Sequence, residues 1–388
     1  MSKNKTTSIN SYILKNGEKR FMFKIYVGID PLTGNESYTT RRCKTLGEAK
    51  TELARLKMQI NDGTFRKKQV ETYHDIYKLW VSHYETTVEE STFVKTIGIF
   101  KNHILPAMGT YKIEKINVEV CQKHVNEWKN KLKNFRMVKA YASKVLDFAI
   151  RYDYIQKNPF SLVEIANNRK QAVSGSEDAV ENFYTKEQLT EFLNCLEKEN
   201  NYQAYALFRL LAYSGIRKGE ALALSWNDLN FTTNELRINK AISRGKDNKL
   251  YLKSTKTGIV RTIKMDDKTM EIMKEWKRIQ KQDYLVLGFN TLKSGQLVFS
   301  NKANKYLQPT KTRKWIQLVQ KKYKLSTITT HGLRHTHCSL LFEAGVSLKD
   351  VQDRLGHSDV QTTLNIYTHV TQKTKEEAIQ KFESYLNS

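Results

Sequence analysis

Hydrophobic and polar residues alternate through most of the first 45 positions, which is the pattern of half-buried strands. The alternation is clearest over residues 21–27, and the dipeptide Asn16-Gly17 just before it is a strong signal for a tight turn. Over residues 46–60 the apolar positions recur with the period of an amphipathic helix. The pattern predicts three short strands and one helix, which together form a small domain over residues 1–65.

Residues 72–165 have apolar positions at helical spacing throughout, which predicts a helical bundle. Two of its helices are predicted at residues 118–132 and 137–152, and the proline and glycine within 103–109 predict a break between helices. Residues 166–182 are rich in Asn, Ser, Gly and Glu and contain few apolar residues. They are predicted to link the bundle to a third domain.

The third domain, residues 180–388, is predicted to be mainly helical with one small antiparallel sheet, so the fold class is a multidomain α+β protein. Between residues 235 and 265 the apolar period changes to two, which predicts three strands. These strands are centred on Leu236 to Ile238, Leu250 to Leu252 and Ile259 to Ile263. Lys256 falls between the second and third, where we expect a hairpin tip.

Residues with complementary chemistry follow one another near the C-terminus: His331, Arg334, His357 and Tyr367. Arginine is always charged and forks onto phosphate oxygens, and imidazoles donate hydrogen bonds or move protons near neutral pH. A tyrosine hydroxyl is a weak nucleophile at its ordinary pKa of about 10 and needs such neighbours. No paired carboxylates accompany the group, which disfavours a two-metal phosphoryl site. The set suits attack by a tyrosine on a phosphodiester.

An upstream segment, residues 214–222, reads Ser-Gly-Ile-Arg-Lys-Gly-Glu-Ala-Leu and supplies Arg217 and Glu220. With it, the chain resembles the tyrosine recombinases of the phage-integrase family. That family carries an arginine in a Gly-x-Arg-x-x-Glu box, a lysine in a β-hairpin, a His-x-x-Arg pair, a Leu-Gly-His turn and a tyrosine about ten residues later. The six matching residues occur here in that order: Arg217, Lys256, His331, Arg334, His357 and Tyr367.

The resemblance implies DNA strand exchange by transesterification, with Tyr367 as the nucleophile and no cofactor, ATP or metal. It implies that Arg217, Arg334 and His357 stabilise the phosphoryl group, and that His331 orients or deprotonates the tyrosine. It also implies that Lys256 protonates the leaving oxygen and that Glu220 supports the site. Four protomers are expected around two double-stranded DNA segments.

The same resemblance assigns DNA-binding roles to the other two domains. Residues 1–65 resemble the arm-binding domain of larger integrases, in which a three-stranded sheet enters a DNA groove, and residues 72–165 resemble the core-binding domain. The candidate DNA contacts are Lys24, Arg41 and Arg42 in the first domain, and Lys95, Lys101, Lys139 and Lys144 in the second. A solvated face is the alternative for each of these cations.

Composition supports a polyanionic partner, because 65 Lys and Arg against 40 Asp and Glu give a formal net charge of +25. We find no apolar run long enough to cross a membrane and no signal peptide, so membrane association is not expected. The four cysteines are far apart in sequence and have no metal-ligand spacing, which predicts free thiols in the cytoplasm and no bound metal.

Two other functions use related features. A type IB topoisomerase relaxes supercoils through one tyrosine, and a DNA-binding regulator with a decayed site would have no activity. The intact set of six residues argues against the regulator. Whether an excisionase and a DNA-bending host protein control the direction of recombination stays open. Residues 373–386 have apolar positions at helical spacing, which predicts a C-terminal helix. Whether that helix packs on its own or a neighbouring protomer also stays open.

Overall fold

The structure is a computed structural model of the 388-residue chain. It describes residues 7–14, 16–29, 35–62, 72–165, 182–255 and 258–356. The chain divides into two compact units. One holds the described residues of 1–87 and 96–165, and the other holds those of 88–95 and 166–388. The predicted linker at 166–182 lies outside the described residues except for Asn182.

The N-terminal part of the first unit is the predicted sheet and helix. Strands β1 (Ile9–Ile13), β2 (Lys19–Ile29) and β3 (Glu36–Cys43) pair antiparallel in the order β1-β2-β3, and helix α1 (Leu46–Asn61) follows. The helix begins where the Thr45 side chain accepts a hydrogen bond from the Glu48 amide. One face of the sheet packs on α1 through Phe23, Ile25 and Leu56, which are buried.

The rest of the first unit is helical, as predicted. Its helices are α2 (Tyr73–Glu85), α3 (Glu90–Ile99), α4 (Leu105–Met108), α5 (Val118–Lys131) and α6 (Phe135–Arg151), and the start of α3 groups with the second unit. Aromatic side chains form much of the core: the Trp80 ring stacks on Tyr84 at 4.5 Å and lies 5.1 Å from Phe100.

The predicted break at residues 103–109 is wrong in one respect. After α3 the chain stays helical through a π-helical turn, Phe100–Ile104, and then through α4, and it leaves the helix only at Gly109. The physical reason lies at Pro106, which has no N–H to donate to the preceding turn. A wider turn just before a proline relieves the clash of its ring with the preceding carbonyls, so the helix continues past it.

The second unit is mainly helical, as predicted. Its helices are α7 (Lys186–Glu197), α8 (Tyr202–Ser214), α9 (Lys218–Ala221), α10 (Asp267–Val286), α11 (Pro309–Lys322), α12 (Gly332–Glu343) and α13 (Leu348–Leu355). Helix α8 is apolar nearly all round and lies in the main core, because Leu207, Phe208 and Leu211 are all buried. Thr185 caps α7, because its side chain accepts a hydrogen bond from the Gln188 amide.

The strands of this unit correct the prediction of a single three-stranded sheet. There are five described strands, β4 (Leu229–Asn230), β5 (Glu235–Ile238), β6 (Lys240–Arg244), β7 (Leu250–Ser254) and β8 (Arg261–Lys264). They form one sheet in the order β4-β5-β8 and a separate β6-β7 pair. Strand β6 was not predicted, because its adjacent residues Ala241 and Ile242 are both buried and apolar and polar residues therefore do not alternate there.

The expected hairpin around Lys256 is also wrong. Strand β7 pairs with β6, and β8 pairs with β5, so the strands on either side of Lys256 are not partners. Ile259 and Val260 were predicted to be part of the third strand, but they precede β8 and are exposed.

Two further observations concern the described residues only. None of their helices combines the length and apolar character needed to cross a membrane. All four cysteines are free thiols, and all are buried.

Candidate active site

Arg217 is positioned by a left-handed turn at the end of α8. Gly215 has φ of +66°, which favours glycine, and a Cβ there would lie 2.5 Å from the His337 ring and 2.6 Å from Leu355. The chain therefore turns tightly between α8 and α9, and Arg217 comes to lie at the N-terminus of α9. A side chain at position 215 would force apart the elements that surround the site.

The Arg217 guanidinium is held on two sides. Its Nη1 donates to Glu220 Oε1 at 3.0 Å, and its Nη2 donates to the Gly356 carbonyl at 3.1 Å. The other carboxylate oxygen of Glu220 accepts from the Arg217 amide at 2.9 Å. The predicted supporting role of Glu220 thus has a geometric basis, because its carboxylate fixes both the main chain and the side chain of Arg217.

Arg334 is buried in α12, with 2% of its surface exposed. Its Nη1 donates to the Gly215 carbonyl at 2.8 Å, and its Nη2 donates to the Leu355 carbonyl at 2.9 Å. Burial, followed by the nearby charge of Arg217, lowers the pKa of Arg334 to about 9. Two neighbouring guanidiniums in a poorly solvated site are stabilised by an added anion such as a phosphate.

Arg261, which the sequence reasoning missed, shares the Glu220 carboxylate with Arg217. Its Nη2 donates to Glu220 Oε2 at 2.8 Å, and its Nε donates to the Arg354 carbonyl at 3.1 Å. Burial alone would raise the pKa of Glu220, but the hydrogen bond and charge of Arg261, with those of Arg217, outweigh it and lower the pKa. The sequence did indicate that Arg261 is buried, because it lies two residues before Ile263 and therefore at an inward-facing position of the strand.

His331 immediately precedes α12, and its imidazole lies 4.8 Å from that of His335 in an edge-to-face arrangement. Although the residue keeps an exposed surface, partial burial of the ring and the charges of its neighbours, among them Arg334 and Arg217, lower the pKa of His331 to about 4. The imidazole is therefore neutral at neutral pH. In that state it can accept a proton or a hydrogen bond from a hydroxyl.

A buried histidine that was not predicted ties α12 and α13 to α8. His337 Nδ1 lies 2.9 Å from the Ala212 carbonyl, and its Nε2 accepts from Arg354 Nε at 3.1 Å. Arg354 also donates through Nη2 to the Tyr213 carbonyl at 3.2 Å. These bonds fix the end of α13, where the Leu355 carbonyl accepts from Arg334 and the carbonyl of the next residue, Gly356, accepts from Arg217.

Of the six predicted catalytic residues, the structure describes Arg217, His331 and Arg334, and it brings them together. Lys256, His357 and Tyr367 lie outside the described residues. Gly356, the residue before His357, accepts the hydrogen bond from Arg217.

The candidate DNA contacts of the N-terminal sheet lie on different faces. Lys24 is directly opposite Thr40 and Arg42 is opposite Met22, so both cations point away from α1. The Lys24 Nζ lies 4.7 Å from the Tyr38 ring on that open face. Arg41 lies on the α1 side, where Nη1 donates to Thr39 at 3.0 Å and Nε lies 3.7 Å from Glu52. Arg41 is therefore a poorer candidate than the other two.

The four candidates in the helical bundle also differ. Lys95, Lys101 and Lys144 are exposed, and the Lys144 Nζ lies 5.2 Å from the Tyr141 ring. Lys139 is half-buried and donates to the Val163 carbonyl at 3.3 Å. Its charge is partly engaged within the protein, which makes it the weakest of the four.

Comparison with known proteins places this geometry in a family. The sequence model of the phage integrase family matches residues 182–374, and that of the phage integrase N-terminal SAM-like domain matches residues 72–129. The chain belongs to the phage integrase family of tyrosine recombinases. It is 27% identical to the tyrosine recombinase XerC-like protein of Caldanaerobacter subterraneus subsp. tengcongensis, covering 95% of this chain and 96% of the relative.

Another relative is the ICEBs1 integrase of Bacillus subtilis, which is 24% identical over 96% of this chain and 99% of its own length. Solved structures confirm the fold. The Tn1549 transposon integrase in complex with transposon right end DNA has a TM-score of 0.66 at 21% identity, covering 80% of this chain and 99% of that one. A lambda integrase tetramer bound to a Holliday junction has a TM-score of 0.59 at 17% identity, covering 92% and 94%.

Proposed function

We propose that the protein is a site-specific DNA recombinase that integrates and excises a mobile element, such as a prophage or conjugative transposon. The observation that supports this most directly is that Arg217, Arg334 and a neutral His331 lie together. The two arginines also donate to the carbonyls of Leu355 and Gly356, the residues just before His357. Relatives over nearly the whole length include the ICEBs1 integrase and the integrase of Staphylococcus phage L54a. Their names agree with integration and excision rather than with relaxation of supercoils.

The proposed reaction is a transesterification. The Tyr367 hydroxyl attacks the scissile phosphorus, a 3′-phosphotyrosyl bond forms, and the bond to the 5′-oxygen breaks. His331 accepts the tyrosine proton, and Lys256 gives a proton to the departing oxygen. Arg217 and Arg334, with His357, stabilise the added charge on the phosphoryl oxygens. A 5′-hydroxyl from a partner strand then reverses the step, so the energy of the broken bond is retained in the phosphotyrosine.

The proposed assembly is a tetramer on two synapsed DNA duplexes in the cytoplasm, with residues 1–65 on arm sites and residues 72–165 on the core site. An excisionase and a DNA-bending host protein are the candidate partners that set direction. Deletion of residues 1–65 should leave cleavage of a core-site duplex intact and abolish integration that depends on distant arm sites. Unchanged recombination by the shortened protein would remove the arm-binding role.

The central test uses a nicked duplex that carries the crossover, mapped by sequencing the junctions formed when the protein is expressed with its own flanking DNA. The wild type should form a covalent adduct that survives denaturation, and Tyr367→Phe should bind the duplex but form none. An adduct with Tyr367→Phe would mean that another residue is the nucleophile. Adducts on any sequence, with relaxation of a plasmid that lacks the site, would favour a topoisomerase.

Lys256 has its own test, because its role depends on proton donation. Lys256→Ala should cleave about 10² to 10⁴ times more slowly while binding normally. When the bridging 5′-oxygen is replaced by sulfur, the leaving group is a thiolate that needs no proton, since a thiol has a pKa of about 8.5. The variant should then regain most of its rate, whereas Arg217→Ala should not. Failure of the sulfur substrate to rescue Lys256→Ala would remove the general-acid role.

A further inference from the structure

A second group of cations lies beside the catalytic arginines: Lys218, Arg244 and Arg313. Lys218 is the first residue of α9 and follows Arg217 directly. Helix α9 packs so closely on β6 that a Cβ at Gly219 would lie 2.9 Å from the Ile242 carbonyl. Arg244 ends the same strand, two residues beyond Ile242 and on the same side of it. The N-terminus of α9 and the end of β6 are therefore neighbours.

Helix α11 connects this pair to His331. The Arg244 Nη2 donates to Gln308 Oε1 at 3.1 Å, and Gln308 immediately precedes α11. On the next turn, Thr312 Oγ1 lies 3.4 Å from the hydroxyl of Thr330, the residue before His331. Arg313 is exposed directly after Thr312. The first turns of α11 thus lie between Arg244 on one side and Thr330, the residue before His331, on the other.

The charges of this group are balanced differently from those of Arg217 and Arg261. Arg217 and Arg261 share the Glu220 carboxylate, but in the described part of the chain no carboxylate forms an ion pair with Lys218, Arg244 or Arg313. Lys218 is half-buried, and burial followed by the charges of Arg244 and Arg313 lowers its pKa. Lys218 in turn contributes to lowering the pKa of His331. Clustered cations without an anion are stabilised when an anion binds.

We propose that Lys218, Arg244 and Arg313 form a binding site for a DNA backbone phosphate that flanks the scissile phosphate. The inference rests on the proposed function, because it takes the scissile phosphate to lie at Arg217 and Arg334. A DNA strand carries a charge about every 3.4 Å of helix rise, so a phosphate next to the reacting one is available wherever the reacting one binds. The site would fix the strand on one side of the bond that breaks.

The first experiment measures how affinity for the nicked crossover duplex depends on salt, using the full-length chain. Lys218→Met should weaken binding on the order of tenfold at low salt. It should also reduce the slope of log affinity against log salt by about 0.9, the value for one lost phosphate contact. Lys218→Arg should retain both. The matched control is Lys268→Met, because Lys268 is exposed in the same unit and already lies 3.6 Å from Glu271.

The second experiment identifies the phosphate. Uncharged methylphosphonates replace the phosphates around the crossover one at a time, and binding is measured for the wild type and for Lys218→Met. At one flanking position the wild type should lose about tenfold in affinity, whereas Lys218→Met should lose nothing further. Equal losses in both proteins at every position, or an unchanged salt slope, would overturn the proposal and point to a protein carboxylate as the partner of Lys218.

Both experiments measure binding, so they are independent of strand cleavage. If the wild type forms no covalent adduct but the coupling between Lys218 and one phosphate is found, the recombinase function fails, and what stands is a DNA backbone phosphate site at Lys218 with no scissile phosphate beside it. If the adduct forms and no coupling is found, the reverse holds. The melting temperature of Lys218→Met, compared with that of Lys218→Arg, shows whether a loss of affinity comes from unfolding.

Discussion

The two arginines of the candidate active site, Arg217 and Arg334, and the cations of the N-terminal sheet are all positive groups, but they are held differently. Arg334 is buried, and two main-chain carbonyls accept from its guanidinium. Lys24 is exposed on an open sheet face, and the described contact of its ammonium is with the ring of Tyr38. The first arrangement leaves little freedom of position, and the second leaves the side chain free to adjust.

The difference agrees with the roles that we propose for the two groups of cations. Stabilising charge on one phosphoryl group requires donors fixed before the reaction, in a site where water does not screen them. Contacts to the DNA backbone tolerate adjustment, and they contribute mainly through release of counterions. We therefore expect substitutions at Arg217, Arg334 and the residues that hold them to lower both the stability of the protein and the rate of cleavage. Substitutions on the sheet should change only the salt dependence of DNA binding.

The largest effect is expected from Glu220→Gln, which removes the carboxylate that Arg217 and Arg261 share. Because it leaves buried guanidiniums without their counter-charge, the free energy of unfolding should fall by about 3–5 kcal/mol, as measured by urea denaturation. Covalent adduct formation should also be lost. Glu275→Gln is the control, since Glu275 pairs with Arg278 at 2.6 Å on the surface. It should cost at most about 1 kcal/mol, and an equal cost would remove the distinction between the two regions.

The next effect concerns pH. Burial, followed by the charge of Arg354, lowers the pKa of His337 to about 4 from an ordinary value of 6.5. The unfolded chain therefore binds a proton before the folded one does. The free energy of unfolding is therefore at its full value above pH 6.5, and it falls by about 3 kcal/mol as the pH drops from 6.5 towards 4.

Urea denaturation at pH 7.5 and 4.5 measures this loss. His337→Gln should be less pH-dependent than the wild type, with part of the dependence remaining because His331 also has a pKa of about 4. An identical pH dependence in the variant would show that His337 does not carry the effect.

A smaller effect separates two glycines in left-handed conformations. At Gly215, φ is +66° and a Cβ would lie within 2.6 Å of side-chain atoms of His337 and Leu355, whereas Gly17 has φ of +82° and open space around it. Gly17→Ala should cost only backbone strain, about 1–2 kcal/mol. Gly215→Ala should cost about 1–3 kcal/mol more, because the packed site must also shift. Equal costs in thermal or urea unfolding would contradict the close packing around Arg217.

The smallest effects are expected on the sheet. Lys24→Ala and Arg42→Ala should each reduce the salt slope of arm-site binding by about 0.9, with unfolding free energy changed by no more than about 0.5 kcal/mol. Arg41→Ala should leave the salt slope unchanged, because Arg41 lies on the α1 side near Glu52. If Arg41→Ala changed the salt slope and Arg42→Ala did not, DNA would have to bind the face of the sheet that carries Arg41, which is the face that packs on α1.

These comparisons also show what could be predicted from the sequence. Arg217 with Glu220, and His331 with Arg334, are three residues apart, so their proximity is a local property of the chain. The inward-facing strand position of Arg261 could be read from the sequence, but its partner could not. Arg261 meets Glu220 across 41 residues and through a strand pairing that was wrongly predicted. The helix through Pro106 was not predicted. A proline in the sequence indicates a helix break, and the sequence does not show whether the preceding turn can widen and let the helix continue.

The same limit applies to the cations of the sheet. Arg41 and Arg42 are adjacent in sequence and identical in type, and only the register of β3 against β2 decides which of them faces α1. Lys218 stands directly beside Arg217, but the cations near it come from β6 and α11, which are distant in sequence. Its lack of an ion pair with any described carboxylate could therefore not be predicted.

The hydrogen-bond acceptors around Arg217 and Arg334 have a consequence for how such proteins diverge. Three of them, at Gly215, Leu355 and Gly356, are carbonyl oxygens of the main chain. No change of codon deletes a carbonyl oxygen, so these bonds survive any replacement that preserves the path of the backbone. Sequences can therefore diverge widely while the hydrogen bonds that hold both guanidiniums are retained. An identity of 17% to a structure with the same fold is the kind of divergence that such inheritance permits.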